Sequence, residues 1–142
     1  MNRNKIRVGV IGVGYLGKFH LEKYKLNKSV NLTSIADINN ENRASIKYSK
    51  LFKTNKYEEI VDKVDAVSIV TPTITHYEIA KFFLKNKINV LLEKPMTETV
   101  NQAKLLNNLA RKHECILQIG HLEQFNPAIR KLKSELTDPE FI

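Results

Sequence analysis

The chain has 142 residues, enough for one domain with a hydrophobic core, and its 42% hydrophobic and 27% charged residues are ordinary for a globular protein. No stretch has the apolar length to cross a bilayer, the start Met1-Asn-Arg-Asn-Lys5 lacks the apolar region of a signal peptide, and the lone Cys115 excludes an internal disulfide. The net charge of +8 is spread over lysines along the whole chain, without a dense basic run and interleaved aromatics, so we expect a cytoplasmic protein with neither a nucleic-acid nor a membrane partner.

Residues 5–11 form a mostly apolar run that reads as a strand, and Gly12-Val-Gly14-Tyr15-Leu16-Gly17 follows it directly. Residues 15–26 then read as an amphipathic helix. Strand-like residues 32–37 come next and end on Asp37, twenty residues beyond Gly17. Strand, glycine turn, helix and distant acid together are the dinucleotide fingerprint of a βαβ unit. Gly12 permits the tight turn, Gly14 lets the backbone approach a pyrophosphate, and Gly17 lets the helix pack close to the sheet. The helix start at Tyr15 and Leu16 offers free N–H groups and a positive dipole end. Asp37 can accept hydrogen bonds from ribose hydroxyls and repels a 2′-phosphate, which favours NAD over NADP. Arg43, six residues on, works against that preference.

Alternation continues along the chain. A helix is expected at residues 41–50, a short strand at 51–53, a helical turn at 57–61 and an apolar strand at 66–70. The next helix, residues 75–86, carries a capping box in Thr75-His-Tyr-Glu78. A strand at 89–92 precedes a helix at 99–112 with a second box, Thr99-Val-Asn-Gln102. Residues 116–120 read as the last clear strand and 127–136 as a helix. The pattern specifies an α/β fold: a doubly wound, mostly parallel sheet of Rossmann type. Residues 1–122 form the nucleotide-binding domain in this reading.

Ligands in such sheets bind at the carboxyl ends of the strands. Asp37, Thr71-Pro72-Thr73, Glu93-Lys94-Pro95 and Gly120-His121 each follow a different strand and converge there. Lys94 at that edge can donate to a substrate hydroxyl or stabilise a developing alkoxide; a solvated surface lysine has the same pattern. Glu93 can orient Lys94, bind a ribose or simply be exposed. His76 is at helical spacing with Ile79, Ala80 and Phe83, so it is either a cofactor contact or a satisfied structural histidine. His121 sits just past a strand end, whereas His20 falls inside a helix without such context. No cluster has metal-ligand spacing, and no nucleophile elbow or P-loop is present.

Four segments resemble the N-terminal half of the glucose–fructose oxidoreductase / inositol dehydrogenase (Gfo/Idh/MocA) family: Gly9-Val-Ile-Gly-Val-Gly-Tyr-Leu-Gly17, Asp65-Ala-Val-Ser-Ile-Val-Thr-Pro-Thr-Ile-Thr-His76, Glu93-Lys-Pro-Met96 and Gly120-His-Leu-Glu-Gln-Phe-Asn-Pro127. The resemblance implies an NAD(P)-dependent oxidoreductase acting on a sugar, sugar nucleotide or cyclitol. It implies Lys94 as the catalytic lysine beside nicotinamide and substrate, and Glu93 as a lining of the cofactor site. It implies cofactor contacts at Gly12, Gly14, Tyr15, Leu16, Gly17, Asp37, Thr71, Pro72, Thr73 and His76, with His121 in the substrate pocket. The last segment is similar to the form found in bacterial UDP-N-acetylglucosamine 3-dehydrogenase-like members, with Gln124 where that form has arginine. Full-length family members carry a second domain that supplies most of the substrate site, a catalytic histidine and the usual oligomer interface, so homo-oligomers are implied for complete relatives. The resemblance implies that residues 123–142 are a connecting helix and the start of that domain, with Pro139-Glu-Phe-Ile142 resembling the entry to its first strand. A chain stopping at Ile142 is expected to bind cofactor and turn over poorly; a non-catalytic nucleotide-binding module is the alternative.

Overall fold

The computed structural model describes residues 5–135. Six strands alternate with helices: β1 (Ile6–Ile11), α1 (Tyr15–Leu26), β2 (Val30–Ala36), α2 (Asn40–Ser45), β3 (Phe52–Thr54), β4 (Ala66–Ile69), α3 (Thr73–Lys85), β5 (Asn89–Leu92), α4 (Val100–Lys112), β6 (Leu117–Ile119) and α5 (Pro127–Glu135). Two 3₁₀ helices, Tyr57–Lys63 and Leu122–Phe125, complete the chain. The expected strand start at residues 139–142, the first four residues and Leu136 lie outside the described residues.

All six strands are parallel, in the order β3-β2-β1-β4-β5-β6. The doubly wound fold expected from the alternation is therefore the one observed. β1 is central, and Val8 to Ile11 are all buried because helices cover both faces. One face carries the larger core, where Phe83, Leu84, Leu106 and Ile60 pack under α3 and α4. On the other, Leu21 of α1 meets Leu32, Ile35 and Leu51.

The register places the strand ends level. Ile11 pairs with Ala36 and Ile69, Ile69 with Leu92, and Leu92 with Ile119. The residue after each end is then tied to its neighbour: Gly12 N–H donates to Ala36, Val70 to Ile11, Glu93 to Ile69 and Gly120 to Leu92, at 2.8–3.0 Å. These bonds build one carboxyl edge from the ends of five strands far apart in sequence.

Strand β2 starts at Val30 rather than residue 32, the turn expected at 57–61 runs to Lys63, and two helices differ more instructively. The second helix ends at Ser45 rather than continuing to residue 50, because Ile46 and Tyr48 turn in to pack on the α1-side core. Asn39 starts that helix, its Oδ1 accepting from the Glu41 and Asn42 N–H groups. Helix α3 begins at Thr73, two residues early, behind Pro72. Pro fixes φ at the helix start. The Thr75/Glu78 capping box therefore does not form: the Thr75 hydroxyl lies 2.7 Å from that of Thr71, and Glu78 pairs with Lys81. The Thr99/Gln102 box does form, at 3.2 and 3.3 Å.

Candidate functional site

The three glycines of the turn do different work. Gly12 has φ +82, and a Cβ there would lie 2.5 Å from the Val70 carbonyl oxygen. A Cβ on Gly17 would lie 2.0 Å from the Gly12 carbonyl oxygen, so this glycine lets α1 close onto the turn. Gly14 is open: a Cβ would meet only Asn42 Nδ2, at 3.8 Å. Its φ of −66 suits any residue, so the lack of a side chain there serves the space outside rather than the backbone. Gly14 is also the cap of α1 and supplies no capping side chain. The first-turn N–H groups of α1, including those of Tyr15 and Leu16, thus have no intrahelical acceptor and face outward from the turn.

Asp37 stands across from this turn. Its Oδ2 accepts from Val13 N–H at 2.8 Å and from Asn42 Nδ2 at 3.1 Å, and its Oδ1 accepts from Asn39 N–H at 2.8 Å. The guanidinium of Arg43 donates to the Asp37 carbonyl and, at 3.1 Å, to Asn40 Oδ1. Arg43 is thereby committed to its own loop.

A cleft of about 360 Å³ opens between the ends of β1, β2 and β4. Gly12, Asp37 and Thr71 line it, with apolar walls from Ile38, Ile74 and Ile79 and polar rims from Asn55, Tyr57 and Glu78. Ile38 is 90% and Ile74 69% exposed, so two large apolar side chains face solvent across this cleft. Burial raises the Tyr57 hydroxyl above its ordinary pKa, with nearby Glu58 adding to the rise.

The second half of the edge lies beside β5. Glu93 is buried, and its Oε2 accepts the Lys94 N–H at 3.2 Å. Lys94 is exposed and its peptide bond to Pro95 is cis. A Cβ on Gly120 would lie 2.9 Å from Glu93 Oε1, so that glycine makes room for the carboxylate. His121 is exposed, at the start of the Leu122–Phe125 turn. Thr73 opens α3 half-buried, behind exposed Pro72. His76 is fully buried, with Nδ1 3.0 Å from the Pro95 carbonyl and Nε2 2.8 Å from the Thr71 carbonyl. It ties the loop after β4 to the loop after β5.

The side chains that sequence reasoning passed over are His20 and Ser68. His20 Nδ1 lies 2.7 Å from Ser68 Oγ, and its Nε2 lies 3.1 Å from Glu93 Oε1. The signal was present in the spacing: Gly17, His20, Leu21 and Tyr24 share the face of α1 that meets the sheet. Asn42, Ile38 and Ile74 were also unmarked, because exposed apolar residues and a lone Asn carry no motif. Among the described residues, no group of three His, Cys, Asp or Glu could hold a metal, and no helix is long and apolar enough to cross a membrane.

A glycine turn joining β1 to α1, at the point where a parallel sheet of this order reverses direction, defines a dinucleotide-binding Rossmann domain. Residues 6–121 match the model of an oxidoreductase family with an NAD-binding Rossmann fold, and the chain belongs to that family, Gfo/Idh/MocA. It is 36% identical over 129 residues to UDP-N-acetylglucosamine 3-dehydrogenase of Acidithiobacillus ferrooxidans, covering 90% of this chain and 41% of that protein. The solved structure of that enzyme superposes with a TM-score of 0.83 at 35% identity, over 92% of this chain and 43% of that one. Myo-inositol 2-dehydrogenase of Thermotoga maritima is 31% identical over 133 residues, 90% of this chain and 40% of that protein. GenD2 from gentamicin A biosynthesis, solved in complex with NAD, shares the fold with a TM-score of 0.90 at 24% identity, over 96% of this chain and 40% of its own. The chain thus spans about two fifths of the length of the relatives it matches.

Proposed function

We propose that this chain is the nucleotide-binding half of an NAD-dependent dehydrogenase that oxidises a hydroxyl of a sugar, sugar nucleotide or cyclitol. The observation that carries the reading is the open space at Gly14, beside uncapped helix N–H groups and opposite Asp37. It fits a pyrophosphate with a ribose beyond it. When bound, the nicotinamide supplies a hydride acceptor.

The chain's own residues then divide the work. The backbone of Gly12, Gly14, Tyr15, Leu16 and Gly17 holds the phosphates. Asp37 takes the ribose hydroxyls, and the cleft between Ile38 and Ile74 takes the adenine. Thr71, Pro72 and Thr73 border the path to the nicotinamide end, and His76 with Glu93 fixes the loops on which that end rests. Lys94 holds the substrate hydroxyl and stabilises the charge that develops on its oxygen. His121 shapes the substrate pocket. The preference for NAD over NADP follows from Asp37, and Arg43 does not oppose it because its guanidinium is already engaged.

Residues 123–142 lead, in this proposal, to a substrate domain like that of the longer relatives, and the whole protein is cytoplasmic. The sugar-nucleotide class is favoured by the 36% identity to a UDP-N-acetylglucosamine 3-dehydrogenase. Titration of the purified chain with NADH and NADPH tests the cofactor assignment: NADH binds more tightly, and tighter NADPH binding refutes it. For the reaction, Lys94→Met in the chain joined to a substrate domain leaves NADH affinity nearly unchanged and cuts turnover about a hundredfold or more. Normal turnover makes Lys94 a surface lysine.

A further inference from the structure

Lys94 is exposed at the end of a strand, and no side-chain bond of its own fixes it among the described residues. Where its amine is presented depends on how residues 93 and 95 are held. Each is held by a histidine from a different helix. His76 of α3 takes the Pro95 carbonyl. His20 of α1, whose side chain is 12% exposed, takes the Glu93 carboxylate, and the other oxygen of that carboxylate takes the Lys94 N–H.

We propose that His20 is a positioning residue: through Glu93 it fixes the backbone of Lys94 at the reacting edge of the site. The proposal rests on the reading of Lys94 as the residue that meets the substrate hydroxyl. Three observations support it. The His20 ring bridges β4 and β5, the two strands nearest that edge, by way of Ser68 and Glu93. Gly120 leaves the Glu93 carboxylate its seat, since a Cβ there would approach to 2.9 Å. Finally, the polar chain is satisfied in one direction. A proton on Nε2 of His20 faces the Glu93 carboxylate, and the Ser68 hydroxyl can then donate to Nδ1. A buried network with every member partnered is rigid, and an incomplete one is costly. Although a serine, a histidine and a carboxylate are aligned, this is no nucleophilic triad. Ser68 is wholly buried within β4 and has no access to a substrate.

The tautomer is testable in the unaltered chain. Two-bond ¹⁵N–¹H spectra of the imidazoles should find the proton of His20 on Nε2; a proton on Nδ1 leaves Glu93 facing a lone pair and overturns the proposal. Two variants then separate the contacts. The amide nitrogen of Gln falls near Nε2 of the ring it replaces, and that of Asn near Nδ1. His20→Gln should therefore keep the Glu93 bond, the ¹⁵N–¹H shift of Lys94 and NADH affinity within about twofold. His20→Asn should keep the Ser68 bond, move the Lys94 and Gly120 shifts, and weaken NADH about threefold or more, an effect of the size of a lost hydrogen bond. Equal behaviour of the two variants, whether both like wild type or both displaced, shows that the ring only fills space and overturns the proposal. If either variant fails to fold, the tautomer of the wild-type ring decides alone. Wild-type chain that fails to bind NADH refutes the cofactor reading, whereas the tautomer and the Lys94 shift still decide the role of His20.

Discussion

Substituting the glycines of the turn one at a time separates folding from binding. In Gly17→Ala the new methyl group falls 2.0 Å from the Gly12 carbonyl oxygen, where ordinary contacts begin at 3.4 Å. The obstacle is backbone, so helix and turn must part. Overpacking of this kind costs about 1–3 kcal/mol, and the better helix propensity of Ala returns up to about 1 kcal/mol. Taken mid-range, the net loss is about 1–2 kcal/mol, which for a chain of this length lowers Tm by roughly 3–8 °C. Gly14→Val is the contrasting case. The backbone there is extended, and only Asn42 Nδ2, at 3.8 Å, is near. Loss of unfolded-state freedom and loss of a good cap residue act in opposite directions, each by about 1 kcal/mol or less, so stability stays near that of wild type.

The binding result is reversed. The valine occupies the space assigned to the pyrophosphate, so NADH affinity falls more than about tenfold, or ~1.4 kcal/mol. Thermal melts with and without NADH, together with a fluorescence titration, measure both quantities. A folded Gly14→Val chain that binds NADH like wild type shows that the turn is not the phosphate site. Unfolding of that variant shows that the space at Gly14 belongs to the core.

Three further outcomes are expected. Asp37→Ala removes the carboxylate facing the turn and narrows the difference between NADH and NADPH affinities, measured by parallel titrations; an unchanged ratio places discrimination elsewhere. Lys87 and Glu114 hold φ values of +60 and +55 just past α3 and α4, so Lys87→Gly and Glu114→Gly relieve left-handed backbone and each raise stability by about 0.5–1 kcal/mol in denaturant titrations. Arg7 holds the Asp65 carboxyl below its ordinary value of 3.8 by hydrogen bonding. A depressed folded pKa gives stability that is complete above pH 3.8 and is lost as pH falls through the lower folded value. Both side chains are nearly half exposed, so solvent screens the pair and the amount is small. Asp65→Asn should lower stability slightly at neutral pH and converge with wild type as pH falls below 4, so its curve is flatter on the acid side; an equal loss at every pH would refute the assignment.

The fold was legible because its signals are local and repeated. The central strands carry short apolar runs, each long helix an amphipathic one, and the turn at Gly12 to Gly17 a motif whose every glycine has a physical reason. What failed to read correctly was decided by neighbours distant in sequence. The second helix ends early because Ile46 and Tyr48 are drawn into the core beside Leu21. Thr75 looked like a cap, yet Pro72 starts the helix first and leaves Thr75 to meet Thr71. The candidate site was partly legible for the same reason. Residues directly after strand ends announce themselves by position, as Asp37, Glu93 and Gly120 do. Ile38 and Ile74 do not, since only the fold sets them as walls of one cleft, and Asn42 does not, since only the fold brings its amide to Asp37.

His20 shows how the two halves of the site depend on each other. Helix α1 presents its first turn to the space at Gly14, and one turn later presents His20 to Glu93. The seating of α1 on the sheet is set by Gly17, which permits the close approach to Gly12. One helix placement therefore determines both where the uncapped N–H groups stand and whether the imidazole reaches the carboxylate beside Lys94. A displacement of α1 should disturb both ends together. In Gly17→Ala, the Lys94 amide shift and NADH affinity should move in parallel, while in Gly14→Val affinity alone should fall. Parallel loss in both variants, or a Lys94 shift indifferent to Gly17→Ala, would show that the phosphate turn and the lysine segment are held independently.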